Sequence, residues 1–201
     1  MGISSIEGLA LLSLAQGGQI GDEILCLGRP ELFMTHRQVK KLVHGLGLSW
    51  NDEEIASVVK SRFGEPFLQR AGFRTIRTLD ASSYEGAEII HDLNEPIPQE
   101  FEGTTRFLFA NGTIEHVFNI AVALQNVTRL LRTDGTLLVT APANGQCGHG
   151  FYQFSPEFFY RYLEVNGFER IRIYVVGRKH PQRWFYAKDP REMKRRIEFM
   201  T

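Results

Sequence analysis

Two aspartates and two histidines are the residues of this chain best suited to chemistry. Asp80 and Asp92 each follow an apolar run. A carboxylate at Asp80 can accept two hydrogen bonds from a ribose diol, and Asp92 with Leu93 can present an acid and an apolar edge to an adenine ring. The same two acids can instead cap their own turns, as Asp does in many loops. His149 lies between Gly148 and Gly150 and is followed by Tyr152. Imidazole is the side chain best tuned to take a proton near neutrality, so His149 is a candidate base, against the alternative of a loop histidine bonded to backbone. His116 adjoins Glu115 at the head of a helix, where packing or capping competes with catalysis. Phe151, Phe154, Phe158 and Phe159 could wall an acceptor site, although aromatics at helical spacing also build cores.

These residues depend on strands and helices that the pattern makes legible. Ile3, Ile6, Leu9, Ala10 and Leu14 suggest a helix ended by Gly17-Gly18. Glu23 to Gly28 is a short apolar run of the kind that forms a parallel strand covered on both faces. Pro30 suits the first turn of the next helix, with Val39, Leu42 and Val43 behind it. Asn51 and Glu54 form a capping box for a further helix carrying Ile55, Val58, Val59 and Phe63.

Phe73 to Leu79, Ala87 to His91 and Arg106 to Ala110 read as three strands. A helix from Val117 to Leu131, a turn at Asp134-Gly135 and a strand from Thr136 to Thr140 complete a βαβ step. Ser155-Pro156 opens a helix that Asn166-Gly167 closes. Glu169 to Val176 reads as a late strand and Pro190 to Met200 as a charged helix. Alternating strands and helices imply an α/β fold, with a mostly parallel central sheet and helices on both faces. Ligands of such sheets bind outside the carboxyl ends of the strands, which directs attention to Gly28, Asp80, Asp92, Asn111 and the stretch from Ala141 to His149.

The chain has 201 residues, 43% of them hydrophobic, enough for one domain with a proper core. Lys plus Arg equals Asp plus Glu at 23 each, so no global field favours a nucleic acid. Cys26 and Cys147, the two cysteines, suggest neither a disulfide framework nor a zinc site. The apolar stretch Gly8 to Ala15 lacks the basic flank of a signal peptide and is too short for a membrane span. A cytoplasmic protein, with a homodimer as one expected assembly, follows. The basic run of Arg178, Lys179, Arg183, Lys188, Arg191, Lys194, Arg195 and Arg196, with Trp184, Phe185 and Tyr186 interleaved, fits a solvated face or a partner surface.

The order of strand ends, together with Ile114-Glu115-His116-Val117, the helix to Arg132 and Thr133-Asp134-Gly135-Thr136-Leu137-Leu138-Val139, resembles the Rossmann-like class I S-adenosylmethionine-dependent methyltransferases of the type 11 kind. Gly148 to Glu157 and Asn166-Gly167-Phe168 resemble the region around that family's penultimate helix. The resemblance covers about residues 20 to 175. It implies S-adenosyl-L-methionine as cofactor, with Gly28 and Arg29 near its methionine part, Asp80 on the ribose and Asp92-Leu93 on the adenine. Asn111, Gly112 and Thr113 would line the reacting face, and His149, His116 or Tyr152 would serve the acceptor.

The implied reaction is methylation, on oxygen, of a small molecule or glycan. Some relatives hold a divalent cation with acids and the histidine of the matching segment. Here Asn111 replaces the first acid, so no metal is expected.

The chain departs from the family in its glycine loop. Cys26 stands where an acid is usual, and Gly28-Arg29-Pro30-Glu31 keeps one glycine, while Pro30 offers no N–H. Asp80 lies 52 residues after Gly28, where a nucleotide-binding βαβ unit places its acid about 20 residues on. The alternative expectation is therefore a catalytically silent methyltransferase-like module that binds a partner or ligand. A nicotinamide oxidoreductase is disfavoured because no G-x-G-x-x-G follows a strand.

Overall fold

The computed structural model describes residues 2–177 and 179–193. Its contacts separate into two compact units, one up to Ala141 and one from Pro142 onward. In chain order the first holds β1 (Gly2–Ile3), α1 (Ser5–Gln16), β2 (Glu23–Leu27), β3 (Glu31–Leu32), α2 (His36–Gly45), α3 (Asp52–Lys60), α4 (Glu65–Ala71), β4 (Thr75–Asp80), β5 (Ile89–Ile90), β6 (Thr105–Asn111), α5 (Ile120–Leu130) and β7 (Leu131–Thr140). Single 3₁₀ turns occur at Gln99–Phe101 and Ile114–His116.

Local sequence explains where the helices start. Ser4 with Glu7, Thr35 with Gln38, and Asn51 with Glu54 form reciprocal capping boxes for α1, α2 and α3, satisfying backbone donors that the first helical turn leaves orphaned. Five parallel strands run in the order β5-β4-β2-β6-β7. On one face Ile24, Cys26, Phe107 and Phe109 pack with Leu11, Leu12, Val39, Val43, Ile55, Val58, Phe67 and Leu68 from the first four helices. Leu25, Leu27, Leu108 and Ala110 alternate to the other face and are also buried. There α5, which packs on β6 and β7, brings in Ala123, Leu124, Val127 and Leu130. Each large apolar side chain so enclosed stabilises the fold by roughly 1.5–3 kcal/mol. Burial also pushes the Cys26 thiol up from its ordinary range, with Glu65 and Glu88 adding to the shift.

Several local expectations are corrected. Pro30 does not begin a helix. The chain after it pairs as β3 with β1 in parallel, and α2 waits for the capping box at Thr35. Ile3 belongs to β1, and α1 buries Gly8, Leu11 and Leu12. A seven-residue helix, α4, begins with Glu65-Pro66. The strand expected from Ala87 is only Ile89–Ile90. At the expected Asp134-Gly135 turn the β6–β7 ladder continues on both sides: Thr105 pairs with Leu131 and Phe107 with Thr136, and the residues between bulge, with Asp134 at φ 72°.

The second unit holds α6 (Pro156–Val165), a hairpin of β8 (Tyr174–Gly177) and β9 (His180–Tyr186), and α7 (Pro190–Met193). Ser155 caps α6 by accepting from the Phe158 N–H at 3.3 Å, and Asn166 with left-handed Gly167 ends it, both as the sequence suggests. The late strand starts at Tyr174, not Glu169, where it pairs with Tyr186 of its antiparallel partner. Of the helix expected from Pro190 to Met200, residues 194–200 lie outside the described residues, as does Arg178 of the basic run. Among the described residues no helix is long and apolar enough to cross a membrane.

Candidate active site

The carboxyl ends of four strands are laced to one another. Left-handed Gly28, at φ 79°, turns the chain out of β2, and its N–H donates to the Leu79 carbonyl of β4 at 2.7 Å. The Thr113 hydroxyl donates to the Leu27 carbonyl of β2 at 2.6 Å. Gly112, at φ 61°, donates its N–H to the Thr140 carbonyl of β7 at 3.0 Å. Asn111, only 6% exposed, is held at both ends of its amide: Nδ2 donates to the Gly2 carbonyl at 2.8 Å and Oδ1 accepts from the Thr140 hydroxyl. Gly28, Asp80, Asn111, Gly112 and Thr113 thus share one edge of the sheet.

The two aspartates are set in hydrogen-bonded turns. Asp80 ends β4, and its Oδ1 accepts from the Ser82 N–H at 3.1 Å. Asp92 Oδ1 accepts from the Asn94 N–H at 2.9 Å and from Asn94 Nδ2 at 2.8 Å, which holds its carboxyl below the usual carboxylate range. Leu93 is buried, and the loop around it hangs on Asn126 of α5. Asn126, fully enclosed, accepts from the Ile97 N–H at 2.7 Å and donates to the Leu93 and Glu95 carbonyls at 3.2 and 2.8 Å. A polar residue on the apolar stripe of Ala123, Leu124 and Val127 is the sequence signal that could have marked it.

Beyond the Gly28 turn, the backbone donors of Leu32 and Phe33 are used within the protein. Leu32 N–H donates to the Arg62 carbonyl at 2.9 Å and Phe33 N–H to the Ile3 carbonyl at 2.9 Å, while Gly64 N–H reaches the Pro30 carbonyl at 2.8 Å. The Arg29 side chain lies 3.9 Å over the Phe63 ring, donates through Nε to Glu65 at 2.5 Å and through Nη1 to the Glu85 carbonyl at 2.8 Å. Arg62 covers the same ring at 5.0 Å and pairs with Glu31 at 2.5 Å and Glu85 at 3.4 Å. Phe63, Glu65 and Glu85 carry no local motif that sequence reading could use.

His116 is half-exposed with Nε2 4.0 Å from the buried Glu115 carboxylate. In the second unit His149 is exposed, its N–H donating to the Gln146 carbonyl at 3.1 Å. Tyr152 stacks on Phe154 at 6.1 Å, and Phe154 in turn meets Phe158 and Phe159 at 5.2 and 5.5 Å.

No protein family and no curated protein matches the sequence. Among solved structures the chain is similar to the Burkholderia thailandensis 1,6-didemethyltoxoflavin-N1-methyltransferase with bound 1,6-didemethyltoxoflavin and S-adenosylhomocysteine. The identity is 14% and the TM-score 0.50, over 89% of this chain and 74% of that one. It is also similar to the citrinin polyketide synthase CMeT domain, at 14% identity and TM-score 0.47 over 79% of this chain and 43% of that one. A third similar structure is a Thermotoga maritima SAM-dependent methyltransferase described as a possible histamine N-methyltransferase, at 15% identity and TM-score 0.44 over 91% of this chain and 84% of that one. The chain spans less than half the length of the citrinin structure it matches. At these identities the likeness to the Burkholderia enzyme shows the fold, and the fold is that of class I methyltransferases.

Proposed function

Starting from the class I methyltransferase fold, we propose that this chain binds S-adenosyl-L-methionine at the carboxyl edge of its sheet and methylates a hydroxyl of a small molecule or glycan. The observation that carries the reading is the laced edge itself, where the Gly28–Leu79 and Thr113–Leu27 hydrogen bonds tie the ends of β2, β4 and β6 to one another, with Asp80 the last residue of β4. When bound, the cofactor supplies an electrophilic methyl group on a sulfonium.

The chain's own residues fit the nucleoside half of that cofactor. Asp80 uses one carboxylate oxygen on Ser82, and the other can accept from a ribose diol. Asp92, held by Asn94, and Leu93, in the loop hung on Asn126, are assigned to the adenine. Gly28, Arg29, Asn111, Gly112 and Thr113 are assigned to the methionine side. His149, His116 and Tyr152 are the candidates to take the acceptor's proton as its oxygen bonds to the methyl carbon and the carbon–sulfur bond breaks. Orientation is then the protein's main contribution.

Calorimetric titration with S-adenosylhomocysteine tests this. Binding that disappears in Asp80→Ala is the expected result; a wild-type protein that takes up no ligand overturns it. The second reading, a catalytically silent binding module, is favoured by one observation: Gly28, Leu32 and Phe33 already spend their N–H groups internally and Pro30 has none. Methyl transfer to any acceptor, abolished by Asp80→Ala, removes that reading.

A further inference from the structure

The segment from Ala81 to Gly86, in the connection from β4 to β5, is exposed at every position except Glu85, which is half-buried. Glu85 is half-buried because two arginines reach it. Its carbonyl accepts from Arg29 Nη1 at 2.8 Å, and its carboxylate lies 3.4 Å from Arg62 Nη2. Both guanidiniums are themselves fixed, stacked on Phe63 and paired with Glu65 and Glu31 respectively. The planar, delocalised guanidinium is suited to holding an aromatic face, a carboxylate and a carbonyl at once.

We propose that Arg29 is a positioning residue for ribose recognition, clamping the 81–86 loop through the Glu85 carbonyl so that the Ser82 N–H holds one oxygen of Asp80 and leaves the other to accept from the ribose. The inference rests on the nucleoside site proposed above. It turns the apparent defect of the glycine loop into its working part: the residue that adds a Cβ where close backbone approach is expected supplies a side-chain clamp. The path is short and fully bonded, from Arg29 to the Glu85 carbonyl, along three residues to Ser82, and from its N–H to Asp80 Oδ1 at 3.1 Å. The Glu88 carboxylate, accepting from the Thr78 N–H at 2.7 Å, secures the far end of the connection.

The test compares binding of S-adenosylhomocysteine and its 2′-deoxyribose analogue to wild type, Arg29→Ala and Arg29→Lys, with thermal unfolding of each. Wild type should prefer the ribose form by roughly tenfold or more, the range of a hydrogen bond to a charged acceptor. Arg29→Ala should bring the two ligands within about twofold of each other, and Arg29→Lys, which cannot fork or stack, should stay folded and show the same loss. A preference retained in the folded variants overturns the clamp while leaving the nucleoside site standing. Wild type that binds both ligands equally also overturns it, and wild type that binds neither ends the nucleoside reading and the clamp together.

Discussion

The hydroxyl of Thr113 donates to the carbonyl of Leu27 at 2.6 Å, tying the turn after β6 to the last residue of β2. Leu27 is 1% exposed, so water cannot replace that donor. Thr113→Val keeps the shape and removes the hydroxyl, and should cost about 1–3 kcal/mol for the carbonyl left behind. Urea denaturation measures this, with Thr113→Ser as the variant that should keep most of the stability.

Asn126 satisfies three backbone groups of the loop from Leu93 to Ile97 from inside the core. Asn126→Leu fills the space and strands all three. A loss of about 2–4 kcal/mol is expected, together with faster hydrogen exchange at Ile97. Unchanged exchange there would mean the loop is held by something else.

The bulge in β7 favours glycine at two adjacent positions for different reasons. Asp134 stands at φ 72°, which glycine adopts freely, and its ion pairs with Arg132 and Arg106 are exposed. Asp134→Gly should therefore change stability by no more than about 0.5 kcal/mol. A Cβ on Gly135 would meet the Arg132 carbonyl at 2.9 Å, so Gly135→Ala should cost roughly 1–3 kcal/mol. Equal effects of the two substitutions in thermal unfolding would contradict this account.

In the second unit Asp189 accepts from the Arg191 N–H at 2.9 Å and from the side chains of Arg191 and Arg161. Burial alone would raise its pKa, but these donors outweigh it and hold the carboxyl down to about 2, against an ordinary 3.8. Because the folded value is the lower one, the stability it contributes is present above about pH 4 and is lost as pH falls toward 2. Asp189→Asn should lower the unfolding temperature at pH 7, and the gap from wild type should close near pH 2. A gap independent of pH would count against the ion pairs.

The enclosed strands β2 and β6 were the most legible part of the chain, since both read as short apolar runs, whereas β4 and β7 are only partly buried. The starts of α3 at Asn51 and of α6 at Ser155 were equally plain, although α3 ends at Lys60, short of the expected Phe63. The misreadings have a common physical cause. Pro30 is compatible with a helix start, and only a partner as distant as Gly2–Ile3 makes Glu31–Leu32 a strand. Strands of two residues carry no periodicity. At the candidate site, Asp80 and Asn111 to Thr113 were visible because they end or follow strands. The contacts of Arg29 with Glu65 and Glu85, 36 and 56 residues away, come from tertiary packing and have no local signature.

Cys26 lies in the central strand at 1% exposure with its thiol held protonated, whereas Cys147 is exposed in the other unit. The molecule therefore carries two chemical clocks with different triggers. An aromatic disulfide reagent should consume one thiol per chain promptly, because the thiolate is the reacting form and only Cys147 is accessible. The second should vanish at the rate at which the sheet opens. Following that second phase in the presence of S-adenosylhomocysteine would time the breathing of the core strand without a label, a tag or a substitution.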